Sequence, residues 1–117
     1  MCSKAIVTIT KRSDFIYLKK HGKKIRSSLL SIVYAKSLLE SNSTKVSYIA
    51  SKKTVGNAVK RNKVKRRFRS LVREYYNVLP SNYLILFIAS PRTYNANYSL
   101  LKDNFLQCIS HLVITLK

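Results

Sequence analysis

Acidic residues are almost missing from this chain: Asp14, Glu40, Glu74 and Asp103 stand against 23 Lys and Arg, a formal net charge of +19 over 117 residues. Four scattered carboxylates supply no pair for two-metal hydrolysis or for general acid and base work. They also leave the positive charge uncompensated, which points to nucleic acid or an anionic membrane surface as partner rather than an acidic protein. Glycine and proline are equally scarce, two of each, and 46% of the residues are hydrophobic. That composition excludes a disordered basic tail, which lacks the apolar surface needed to offset its ordering entropy. It also leaves no Gly-rich phosphate loop. Cys2 and Cys108 form no CxxC pair and no disulfide framework, which fits a reducing, cytoplasmic setting. His21 and His111 have no Cys, Asp or Glu at metal-ligand spacing, so no zinc site is expected. Cys108 reads as a small buried hydrophobe and His111 as packed on its helix. The longest apolar run, Tyr83 to Ala89, is far below spanning length, and the amino end MCSKAIVTIT is too short and polar for a signal peptide. No membrane segment is expected.

The length favours one domain, residues 1–117, with about the first eight and last three residues flexible. Ser13 is placed to cap a short helix, with Asp14 near its positive end, Lys19, Lys20 and His21 near its negative end, and Gly22 as its stop. LLSIVYAK, Leu29 to Lys36, reads as a strand with Leu30, Ile32 and Tyr34 on one side, and Lys23 to Arg26 adds a short edge strand. ESNST, Glu40 to Thr44, is a loop, and VSYIAS, Val46 to Ser51, is a further strand. YLILFIA, Tyr83 to Ala89, is apolar enough to be central. A last helix starts near Asn97 with Leu101, Phe105, Cys108, Ile109 and Leu112 on one face. The order helix, strands, helix, strand, helix predicts an α+β or α/β sandwich of two layers.

Between Lys52 and Arg73 lies KKTVGNAVKRNKVKRRFRSLVR, with ten of the 23 basic residues and no acid. From Asn57, a capping residue, Val64, Phe68, Leu71, Val72 and Tyr75 fall in a stripe roughly 100° wide, so the segment is an amphipathic helix closed by Leu79, Pro80 and Ser81. Arg61, Lys65 and Arg69 form one row on its flank; Asn62 and Arg66 form a second, extended by Arg73. Like charges at i and i+4 each cost about 0.2–0.5 kcal/mol in an isolated helix, so the pattern does not serve stability. A solvated helix face would interleave Glu with Lys, and here the first acid is Glu74. A phosphate backbone reverses the cost: Arg offers a planar fork, Lys a point charge, and Asn62 a group that also reaches sugar hydroxyls or base edges.

The spacing Lys52, Lys53, Gly56, Ala58, Val59, Arg61, Asn62, Lys63, Val64, Lys65, Arg66, Arg69 resembles the signature of the bacterial ribonuclease P protein subunit. Asp14–Phe15 followed by His21–Gly22, the apolar strand after the basic helix and the terminal helix extend the resemblance over residues 9–114. It implies a small ribosomal-protein-like α/β sandwich with a left-handed crossover from strand through basic helix to strand. It implies a single RNA-binding domain whose partners are ribonuclease P RNA and precursor tRNA. In such a holoenzyme the RNA subunit, with its bound Mg²⁺, removes the 5′ leader. The protein then contributes no catalytic side chain, and no cofactor or metal is expected on it.

Carried over by position, Arg61, Asn62, Lys63, Lys65, Arg66 and Arg69 contact the RNA, with Lys52, Lys53 and Arg73 beside them. Phe15 matches the first aromatic of the family's leader groove, where bases stack on rings regardless of sequence; without the resemblance it reads as core. Three positions depart from the pattern. Lys63 stands where the motif has a second Arg, keeping charge without the bidentate fork. Lys19 stands where the second groove aromatic is expected, and Tyr17 points to a different helix face. On the sheet the groove aromatic is Tyr34, with Val33 competing one register away and facing the other side. Two other classes compete: a structural ribosomal protein that neutralises ribosomal RNA, and a nonspecific DNA-binding module.

Overall fold

The structure is a computed structural model that describes residues 7–37, 44–80 and 82–115. Cys2, Glu40, most of the loop expected at 40–44 and Ser81 lie outside the described residues. In chain order the elements are β1 (Val7–Thr8), α1 (Arg12–His21), β2 (Lys23–Arg26), β3 (Leu30–Lys36), β4 (Lys45–Ile49), α2 (Ala58–Tyr75), a 3₁₀ turn (Tyr76–Val78), β5 (Tyr83–Ala89) and α3 (Tyr98–Thr115). The strands form one sheet in the order β1-β4-β5-β3-β2. The uniformly apolar β5 is central, as its composition requires, antiparallel to β3 and parallel to β4. α2 is therefore the crossover between two neighbouring parallel strands.

β1 is the element that the sequence reading missed. Val7 and Thr8, expected in a flexible end, pair in parallel with Lys45 and Val46. Ile9, 3% exposed, anchors the segment, and its N–H donates to the Val46 carbonyl at 2.8 Å. Two residues give no period to read, so burial of the next side chain decides the pairing.

Alternation along the strands divides the core in two. Leu30, Ile32 and Tyr34 of β3, Val46 of β4, and Ile85 and Phe87 of β5 pack with Val64, Phe68, Leu71 and Val72 of α2 and Leu101, Phe105, Cys108, Ile109 and Leu112 of α3. Phe87 stacks on Phe105 with centroids 5.5 Å apart. On the opposite face Ala35, Leu84 and Leu86 meet Ile9 and Leu18, with Phe15, Tyr17 and Val33 packed around them. The expected two-layer sandwich of α2 and α3 on the sheet is present, and α1 adds a partial layer across the other face.

α1 is bounded differently from expectation. It begins at Arg12 with Lys11 at the N-cap and no side-chain cap, so Ser13 lies inside the first turn. Gly22 does end it, though not through a left-handed conformation: its φ is −71° and its N–H donates to the Leu18 carbonyl at 2.8 Å. Glycine is required by proximity, since a Cβ would overlap the Leu18 carbonyl oxygen and lie 2.6 Å from Val33 Cγ1. The last turn of α1 therefore sits against β3 with no room for a side chain.

Candidate nucleic-acid interface

α2 is held in place before its charged flank begins. After β4 the chain closes a tight turn in which Val55 N–H donates to the Ser51 carbonyl at 2.8 Å and Gly56 N–H to the Lys52 carbonyl at 3.1 Å. Gly56 has φ +122°, a region that L side chains rarely adopt. Asn57 then caps the helix as expected, its side chain accepting from Lys60 N–H at 3.0 Å. Lys52 and Lys53 are exposed on this turn, next to a helix start that carries no acid. The positive end of the helix and the two ammonium groups thus form one anion-attracting corner.

Along α2 Val64, Phe68, Leu71 and Val72 are buried as projected, with Tyr75 half-buried at the end of the stripe, which fixes the direction of the basic rows. Asn62 and Arg66 point outward and are exposed. Lys65, half-buried, and the exposed Arg69 and Arg73 border a groove of about 410 Å³ whose other walls are Thr8, Ser47 and Tyr48 at the β1–β4 edge. Arg61 is half-buried, with Nε shielded from solvent and no hydrogen-bond partner among the described residues. Lys63 departs from its expected companions: its Nζ and that of Lys60 lie 5.1 and 5.3 Å from the Tyr94 ring centroid, on the other flank of α2.

Two residues of this region escaped the sequence reading. Tyr48 floors the groove, its ring 6.0 Å from Phe87 and 6.4 Å from Phe68. Burial raises its hydroxyl to about 12, with Arg69 and Arg73 pulling the other way. VSYIAS was legible as a strand, but nothing local said that β4 lies beside the α2 arginines. Arg67 is the second. Its Nη1 donates to the Ala96 carbonyl at 2.8 Å and approaches the Thr93 and Tyr94 carbonyls at 3.5 Å each. It ties α2 to the loop before α3, a structural duty that separates it from its exposed neighbours.

The opposite face of the sheet carries the other expected surface. Phe15 is half-buried against the cluster of Ile9, Leu18, Ala35, Leu84 and Leu86, against which Val33 also packs, and Lys19, one turn on, is exposed. Tyr34 is not with them. It is 4% exposed and belongs to the core under α2 and α3. Strand alternation is the reason: Val33 faces α1, so Tyr34 must face away, and the competing register is the one adopted. Tyr17, expected on a different helix face, reaches the α1 cluster from the other flank. His111, expected to be packed on its helix, is exposed. Among the described residues no group of three or more His, Cys, Asp or Glu could hold a metal ion, and no helix is long and apolar enough to cross a membrane.

Comparison with known proteins matches this arrangement. The family model described as Ribonuclease P covers residues 4–113. The ribonuclease P protein component of Nitratiruptor sp. is 30% identical over 95 residues, 81% of this chain and 82% of that protein. That of a Nocardioides species is 38% identical over 69 residues, 59% of this chain and 58% of the relative. Among solved structures, the Staphylococcus aureus RNase P protein superposes with a TM-score of 0.81 at 21% identity, covering 92% of this chain and 96% of that one. The Thermotoga maritima RNase P protein gives 0.78 at 20% identity, covering 89% and 96%. At those identities the two structures establish the fold, while the family match spans nearly all of the sequence. The chain belongs to the ribonuclease P protein family.

Proposed function

We propose that this chain is the protein subunit of ribonuclease P, binding the RNA subunit through the flank of α2 and the 5′ leader of precursor tRNA over the Phe15 face. The observation that carries the reading is the outward flank of Asn62, Lys65, Arg66, Arg69 and Arg73, beside the exposed Lys52–Lys53 corner. No acid stands in the first turn of the helix that bears it. Its like-charge neighbours repel one another until phosphates lie between them, so its favourable state is a complex with a polyanion. Lys63 belongs to the same reading less directly, as a charge shared with the Tyr94 ring. On the other face, the half-buried Phe15, on the same cluster as Val33, offers an apolar platform for an unpaired base, and exposed Lys19 offers a phosphate contact in place of a second ring. Tyr34 is withdrawn from that platform by its burial.

Hydrolysis is assigned to the RNA subunit and its Mg²⁺, and this chain's part is to bind and orient two RNAs in the cytoplasm. The structural ribosomal-protein alternative is not favoured by the family match.

Two substitutions separate the roles. Arg66→Ala should weaken binding of ribonuclease P RNA and flatten the dependence of log K on log salt by about 0.7–0.9. Phe15→Ala should cost roughly 1–3 kcal/mol in leader affinity and leave assembly with the RNA subunit nearly intact. Titrations with each RNA at matched salt provide the check; equal effects of both variants in both titrations contradict the division.

A further inference from the structure

A cluster of aromatic side chains at the open end of the sheet takes no part in the reading above. Where β2 begins, β3 ends and β5 begins, side chains from both faces of the sheet meet beside the last turns of α1. A cavity of about 180 Å³ lies there, lined by Tyr17, His21, Lys23, Tyr34, Lys36 and Tyr83. Tyr17 and His21, one turn apart on α1, hold their rings 5.1 Å apart and inclined at 42°. Strand register supplies the rest, pairing Lys23 with Tyr34 and Lys36 with Tyr83. His21, Lys23 and Lys36 are exposed, Tyr17 and Tyr83 are half-buried, and Tyr34 forms the buried floor. Among the described residues no carboxylate lines the cavity.

We propose that this cavity is a subsite for one unpaired RNA base, stacked on the Tyr17–His21 pair with its flanking phosphates on Lys23 and Lys36. The combination of rings with ammonium groups is the chemistry of single-strand binding: every base has a π face, and the lysines track the backbone on either side. The volume lies below the roughly 300–1,000 Å³ of sites that enclose whole small molecules, which matches a single base entering from a strand that stays outside. The subsite is separate from the Phe15 platform. On α1, Phe15 and Lys19 share one flank while Tyr17 and His21 share the other, with buried Leu18 between them. It also accounts for Tyr34, which strand alternation removes from the Phe15 face and delivers to this end of the sheet.

The inference rests on the reading of this chain as an RNA-binding protein, and the test separates the two. Tyr17→Leu removes a ring while keeping apolar volume; Lys36→Gln, at an exposed strand end, keeps the fold if the first variant does not. Each full-length variant is titrated with ribonuclease P RNA alone, and, as holoenzyme, with precursor tRNA carrying either a short or a long leader. Phe15→Ala serves as the comparison. A rise in Kd of about fivefold or more in at least one arm is expected for a lost stacking or phosphate contact. Loss confined to the long leader identifies a leader base as occupant. Loss in the titration with ribonuclease P RNA identifies a base of the RNA subunit. If both variants keep the wild-type Tm and bind every RNA within about twofold of wild type while Phe15→Ala loses leader affinity, the subsite is refuted and the RNA-binding reading stands. Failure of the wild-type chain to bind any of these RNAs overturns both.

Discussion

Gly22 and Tyr48 show how single residues here answer to neighbours far away in sequence. Gly22 is small because Val33 and the Leu18 carbonyl occupy the space where a Cβ would go. Gly22→Ala should therefore destabilise the fold by more than the loss of about 1–3 kcal/mol typical of overpacking, since backbone cannot yield as a side chain can. A urea titration of the two proteins checks this. Tyr48 is held protonated by burial, so its folded-state pKa, about 12, lies above the ordinary 10.0. Between those values the unfolded chain has lost the proton and the folded chain retains it, so this group's contribution to stability falls as pH rises from 10 towards 12. Tyr48→Phe should lose stability less steeply than wild type over that window, as followed by thermal melts in parallel buffers. Burial also raises the Cys108 thiol, which adds a decline of the same sign once the pH exceeds its ordinary 9.0.

At the scale of elements, α2 was legible because its signals are local and repeated. The Asn57 cap, the buried Val64–Phe68–Leu71–Val72 stripe and the direction of the basic rows all follow from a 3.6-residue period. Replacing Asn57 with Ala should cost about 1 kcal/mol, the usual worth of an N-cap, while leaving RNA contacts in place. Chemical denaturation at fixed salt measures it. β5 and α3 were legible for the same reason, one from an unbroken apolar run and the other from a five-residue buried face. β1 was not, because two residues carry no pattern. Nor was the start of α1, where an available Ser13 was passed over in favour of an uncapped first turn at Arg12. The facing of Tyr34 turned on a single register step after a loop, and only the position of α1 over Val33 resolves it. Tyr48 and Arg67 lay beyond any local signal, since one needs the β4–α2 adjacency and the other the course of the loop at residues 93–96.

At the scale of the molecule, the sheet separates two surfaces of different composition. α2 and α3 cover one face, and the exposed flank of α2 concentrates charge beside the β1–β4 edge. α1 partly covers the other, where Phe15 and Val33 pack on one cluster and Lys19 is exposed. Among the described residues the ion pair in this structure joins Lys102 to Glu74 at 3.2 Å, between α3 and α2, so most of the +19 charge has no internal partner. Self-repulsion of that size opposes the compact state and is relieved by anions. Added sulfate or a short polyanion should therefore raise the Tm of the free chain more than an equal ionic strength of chloride does, which a melting series can establish. The central claim is that this charge serves an RNA whose chemistry the chain itself does not perform. Mixing the purified chain with ribonuclease P RNA and precursor tRNA at low Mg²⁺ tests it most directly. The account predicts 5′ cleavage well above that of the RNA alone and none by the chain without the RNA; absence of stimulation, or cleavage by the chain alone, would contradict it.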